Sequence, residues 1–278
     1  MRIDDFASVF RSAVKPTFTF APLDLHSAVV VTDLDEHATG HLLRQLQDML
    51  AHLDTNEHLG LVTLRAPDDW GDVPTLLERI DAIRPQLIVT HRHVQSPPDL
   101  HHSLGGVVDT LTQQLDIPVL LLPVGLDLTA ATRVLVVTDH LTGDDPLVNW
   151  AIHVTPDDGT LLLAHIEDID VFARYADVIG RMSGVPTDDV IAGMREKLLG
   201  LPTAYIHAVE REMRKQDIHE TVVPLVEMAQ PLEAYPRLVK DNDVRLLICN
   251  TKDPDQRAMG ALAHALAVEL LDIPLLLL

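Results

Sequence analysis

Asp33 and Asp139 each close an apolar, β-branched run, and both runs end Val-Val-Thr-Asp or Val-Thr-Asp in the same sense. Open α/β sheets bind ligands beyond the carboxyl ends of their strands, so a carboxylate there can meet a ligand's polar groups. It can equally cap the turn or helix that follows. Later in each half a glycine opens a helix-like segment, Gly105-Gly106 in the first and Gly260-Ala261 in the second. Glycine lets backbone N–H groups approach an anion, and a helix N-terminus favours negative charge. Glycine also permits close helix–strand packing. His91, Arg92, His93, His101 and His102 crowd one loop. Imidazoles bind Zn²⁺ or Ni²⁺, and Arg92 offers a permanent charge to an anion. His37 and His41 are spaced i, i+4, a better bidentate geometry. With 15 histidines some pairs arise by chance, so solvated polar histidines are preferred and no metal site is assigned.

The chain contains no Gly-x-Gly-x-x-Gly, Walker loop, Gly-x-Ser-x-Gly elbow or His-Glu-x-x-His. No catalytic residue is therefore assigned, and the expectation leans against an enzyme. The formal charge of −21 repels phosphate backbones and anionic membranes, which disfavours nucleic-acid and membrane-surface roles. Aromatics at 4% leave little for base stacking. Cys249 is the single cysteine, which excludes an intrachain disulfide and a thiolate cluster. No secretory signal and no bilayer-length apolar run is read, so a cytoplasmic protein is expected.

The elements that must position these residues come in two similar sets. Leu115-Asp116-Ile117-Pro118 leads into Val119 to Leu122, and Leu271-Asp272-Ile273-Pro274 leads into Leu275 to Leu278. Before each lies a glycine-bearing helix, and before that a short apolar strand: Leu87 to Thr90, or Leu246 to Cys249. Such self-similarity marks an internal repeat. Strands at about 27–32, 59–64, 87–90 and 117–122 alternate with helices at about 36–53, 76–83 and 104–115. Strands at about 133–138, 159–166, 218–225, 244–249 and 273–278 form the second set. Alternation of this kind argues a parallel sheet with crossover helices. The first set lacks one strand–helix unit. A helical insert over about 170–215 is expected to break near Gly184-Val185-Pro186 and again near Gly200-Leu201-Pro202. An amphipathic helix is read over Asp4 to Val14, followed by an extended lead-in from Phe18 to Leu25, and this arm is expected to pack on the outside of a domain.

The order of these features resembles the universal stress protein family in a tandem, two-domain form. The residues that carry it are the strands ending at Asp33 and Asp139, the Leu-Leu-Leu-Ala-His-Ile strand at Leu161 to Ile166, the Leu-Ile-Val and Leu-Leu-Ile strands, the glycine-bearing helix starts and the final Pro-Val-Leu-Leu-type strands. The resemblance implies an α/β fold of two tandem parallel-sheet sandwich domains, adenine-nucleotide alpha hydrolase-like, forming a pseudo-dimer within one chain. It divides the chain into an arm at 1–26, a truncated first domain at 27–125 and a second domain at 130–278. It implies that the final strands pair with each other inside the chain, and it allows a homodimer.

By the same resemblance a nucleotide would lie near Asp33, Thr90, His91, Gly105 and Gly106, or near Asp139, Ile166, Cys249, Asn250 and Gly260. Nucleotide-binding members carry Gly-x-x-Gly, nine residues, then Gly-Ser or Gly-Thr. Here those glycine positions fall on His91 and Val94, or on Asn250 and Asp253. The hydroxyl positions hold Gly106 and Ala261. The reading is thus a stress-response or regulatory protein that is non-enzymatic and does not bind ATP tightly. The alternatives are an ATP- or AMP-binding protein, at most a slow ATPase, using the second domain, and a metal- or anion-responsive sensor built on the His91–His102 loop. A protein partner is expected but not identifiable.

Overall fold

The computed structural model describes residues 16–50, 59–96, 103–123, 128, 130–138, 144–181, 187–252 and 259–278. Asp139, His101, His102, Asp253 and the helix read over Asp4 to Val14 lie outside them. The first half runs β1 (Ser27–Thr32), α1 (Glu36–Leu50), β2 (Gly60–Arg65), α2 (Val73–Ile83), β3 (Leu87–His91), α3 (Gly106–Gln114) and β4 (Val119–Leu122). The second runs β5 (Arg133–Thr138), α4 (Asp145–Val154), β6 (Thr160–Asp168), α5 (Ile169–Gly180), α6 (Thr187–Lys215), β7 (Thr221–Ala229), α7 (Pro231–Asp241), β8 (Leu246–Cys249), α8 (Ala261–Glu269) and β9 (Leu275–Leu277).

The strands are continuous apolar runs because both sheet faces are covered, as parallel sheets require. Alternate residues of a strand point to opposite faces. Val29 and Val31 enter one core with Leu76 and Ile80 of α2, Val108 and Leu111 of α3, Tyr235 of α7 and Leu266 of α8. Ala28 and Val30 enter the other with Leu46 and Met49 of α1, Leu147 and Ala151 of α4 and Val209 of α6. The result is three layers, α/β/α.

With their final strands paired as the resemblance implies, the halves share one nine-stranded sheet of order β2-β1-β3-β4-β9-β8-β5-β6-β7 among the described residues. Every neighbouring pair is parallel except β4 and β9, which meet antiparallel with Leu120 opposite Leu276. Each half is thus a parallel block, four strands in the first and five in the second, and the seam leaves neither leucine-rich strand as an edge. No helix of the described residues is long and apolar enough to cross a membrane.

Two attachments decorate this frame. Residues 17–25 lie along α4 of the second half. The N–H groups of Thr19, Ala21 and Leu23 donate to Asp145 Oδ2, Asn149 Oδ1 and His153 Nε2 at 3.0, 3.1 and 2.7 Å. Two residues of extended chain advance about 6.6 Å and four helical residues about 6 Å, so the two repeats stay in step. Phe18 meets Tyr205 edge-on and Phe20 stacks on His153. The second attachment is α5 with α6. Contrary to the sequence expectation, α6 does not break at Gly200-Leu201-Pro202. Pro202 instead marks a change of burial: Asp188–Gly200 bury no side chain, whereas Tyr205, Ile206, Val209 and Met213 pack into the core and hold the second part in place.

Candidate functional site

In the first half the strand order reverses between β1 and β3, where an open sheet places its ligand crevice. The structure brings Asp33 and His91 together there. His91 Nδ1 lies 3.0 Å from the Arg92 carbonyl, which can only accept, so Nδ1 carries the proton. His91 Nε2 then faces the Thr32 hydroxyl at 3.0 Å and Asp33 Oδ1 at 3.2 Å. The other Asp33 oxygen accepts the Gln95 N–H at 2.7 Å. His93 and Gln95 adopt left-handed backbone (φ 61° and 52°), which turns residues 92–96 back over the strand ends. Val94 between them is fully buried. The carboxylate that would meet a ligand is therefore held by the chain's own loop. Thr90 is spent inside the sheet, its hydroxyl donating to the Val31 carbonyl at 3.0 Å.

Gly105 has φ 92°, and a Cβ there would sit 3.1 Å from Ser96 Oγ and 3.4 Å from His93 Cα. Its glycine is required by backbone shape and by the folded-back loop. Gly106 is exposed, with open space around it.

The second half differs. Its switch point lies between β5 and β8. Asn250 donates to the carboxylate of Asp144, which also accepts the Leu147 N–H at 3.2 Å as the cap of α4. Gly260 has an ordinary φ of −58°, and an added Cβ would only reach ordinary contact with the Thr251 carbonyl at 3.6 Å. Cys249 and Ile166 have their side chains in the core. His165, within the run quoted above but not singled out, is buried within β6. Its Nδ1–H donates to the Thr138 carbonyl at 3.1 Å, and its Nε2 lies 3.5 Å from Glu167 Oε2. A lone histidine inside a leucine run is the sequence signal for it. Among the described residues no group of three metal-ligating side chains occurs.

Solved structures share this architecture. A universal stress protein from Archaeoglobus fulgidus DSM 4304 superposes with a TM-score of 0.52 at 12% identity, over 90% of this chain and 95% of that one. The chain has the universal stress protein fold. A candidate universal stress protein from Pseudomonas aeruginosa UCBPP-PA14 matches with a TM-score of 0.51 at 14% identity, over 91% of this chain and 93% of that one. A protein of unknown function from Pseudomonas aeruginosa PAO1 gives the same TM-score and identity over 91% and 92%. No protein-family profile and no curated protein sequence matches the chain.

Within this universal stress fold, Arg92 and Lys252 both turn to helix ends. The sequence reading offered Arg92 to an anion, and the structure corrects it. Arg92 is buried, and its Nη1 and Nη2 donate to the carbonyls of Ala267 and Leu270, the latter at 2.7 Å. These groups end α8, where unsatisfied carbonyls carry partial negative charge. Burial pulls the guanidinium down to about 10, opposed by the charge of Asp272, so it stays cationic at neutral pH. Lys252 mirrors it from the other half. Its Nζ lies 3.2 Å from the Leu115 carbonyl at the end of α3 and 3.1 Å from Asp116. The two aspartates of the repeated Leu-Asp-Ile-Pro motif thus each act on the cation supplied by the opposite half.

Proposed function

We propose that this chain is a universal-stress-type regulatory or interaction module, non-enzymatic, that does not bind ATP or AMP tightly. The observation that carries the reading is the Asp33 carboxylate: one oxygen is occupied by the Gln95 N–H and the other faces His91. A nucleotide entering the first crevice must break that closure. Arg92, at the start of this loop, is committed to helix carbonyls, so opening the loop does not free it for a phosphate. In the second half the motif glycine positions carry Asn250 and Asp253. An aspartate at about 4 Å from a phosphate costs roughly 4 kcal/mol at an effective dielectric of 20.

Native mass spectrometry of protein purified without added nucleotide tests this. The expected spectrum shows the polypeptide mass alone. An adduct of AMP or ATP mass that survives desalting contradicts the proposal.

A further inference from the structure

We infer that two copies of this chain associate through α5, antiparallel about a two-fold axis passing between Tyr175 and Ala176. The helix is firmly started, with Asp168 Oδ1 accepting the N–H groups of Asp170 and Val171 at 2.8 and 3.1 Å. Yet none of its residues is buried, and Ile169, Tyr175 and Val178 are 42%, 56% and 60% exposed. The neighbouring stretch Asp188–Gly200 of α6 also buries nothing, and Val190 is exposed. Exposed apolar side chains gathered on adjoining helices mark an interaction surface.

The charges on α5 say what covers it. Asp170, Arg174, Asp177 and Arg181 follow one another at spacings of four, three and four. At about 100° per residue these four side chains fall within an arc of roughly 60°, beside the arc that holds Val171, Tyr175 and Val178. In a two-fold contact, residue i meets j and j meets i. Reversal about the point between Tyr175 and Ala176 sets Asp170 against Arg181 and Arg174 against Asp177, and brings Tyr175 beside its own copy next to the axis. Every acid meets a base. A parallel pairing in register would set like charge against like.

Existing contacts leave these groups available. Arg181 Nη2 is 2.8 Å from Asp177 in an exposed pair, and Asp170 Oδ2 accepts from Gln230 at 3.1 Å. Each retains further donors or acceptors for a partner. The sheet itself offers no leucine-rich edge for association, because β4 and β9 satisfy each other within the chain. A single pair of 12-residue helices with the adjoining turns of α6 buries less than the usual 800 Å² or so per partner, so a dimer of micromolar order is expected.

Sedimentation equilibrium of the full chain tests the assignment. The wild type is expected to show a concentration-dependent dimer. Arg174→Glu and Asp177→Arg, each alone, set like charges face to face and should weaken it at least about tenfold. An equimolar mixture of the two variants restores opposite charges at both positions and should recover a dimer, as should the double variant. A wild type that stays monomeric at hundreds of micromolar overturns the inference. So does a dimer indifferent to both single variants, or one that the mixture fails to rescue.

Discussion

Arg92 Nη2 lies 2.7 Å from the carbonyl oxygen of Leu270, a residue 178 positions away. This bond joins the first half of the chain to the last helix of the second, and Lys252 returns the connection to α3. Arg92→Met keeps the apolar stem but strips the donors from two buried carbonyls. Hydrogen bonds from charged donors contribute about 1.5–3 kcal/mol each way of counting, so a loss of that order is expected in urea unfolding. Lys252→Met should cost less, because its partner Asp116 is fully exposed. A loss below about 0.5 kcal/mol for Arg92→Met, the ordinary surface value, contradicts this role.

The two motif glycines separate packing from ligand binding. Gly105 occupies backbone space that only glycine enters easily, and the folded-back loop packs against it. Gly105→Ala should cost about 1–3 kcal/mol. Gly260→Ala, at an ordinary φ with room for a methyl, should fall within about 0.5 kcal/mol of the wild type. Equal losses at both positions in thermal or urea unfolding refute the distinction.

The arm along α4 should respond to pH. His153 Nδ1–H donates to the Asn149 carbonyl at 2.8 Å, which leaves Nε2 as the acceptor for the Leu23 N–H. Burial lowers the imidazole below its ordinary 6.5, and the bond to Asn149 opposes this. The docked arm thus binds fewer protons than the free one. Its stability is fully present above 6.5 and is lost as pH falls through the lowered value. Hydrogen exchange, corrected for intrinsic rates, should show Thr19, Ala21 and Leu23 protected at neutral pH and less so below that window. His153→Gln should flatten the response, and a pH-independent arm in the wild type contradicts it.

How far the sequence reveals this molecule depends on the range of each interaction. The runs at Val29 to Thr32 and Val134 to Thr138 read directly as strands because a buried parallel strand must be apolar on both faces. Their order along the chain marked the α/β class. The pairing that joins the two blocks into one sheet came only from the family resemblance, since nothing local in Leu120 or Leu276 states which strand it joins. Arg92 was read as bait for an anion because its partners lie far away in sequence and are backbone atoms, which carry no residue signature. Gly105 and Gly260 look alike as letters and differ in φ and in what an added Cβ would meet. His165 hid inside a leucine run whose periodicity drew attention to its neighbours.

The most direct test of the account is isothermal titration of the protein with Mg-ATP, with AMP alongside. Asp33 held by the Gln95 N–H, with Arg92 and Lys252 turned to helix ends, predicts no binding heat up to hundreds of micromolar ligand. A micromolar constant for ATP that disappears in Asp33→Ala or in Asp139→Ala would contradict it and would place a working nucleotide site in the half so identified.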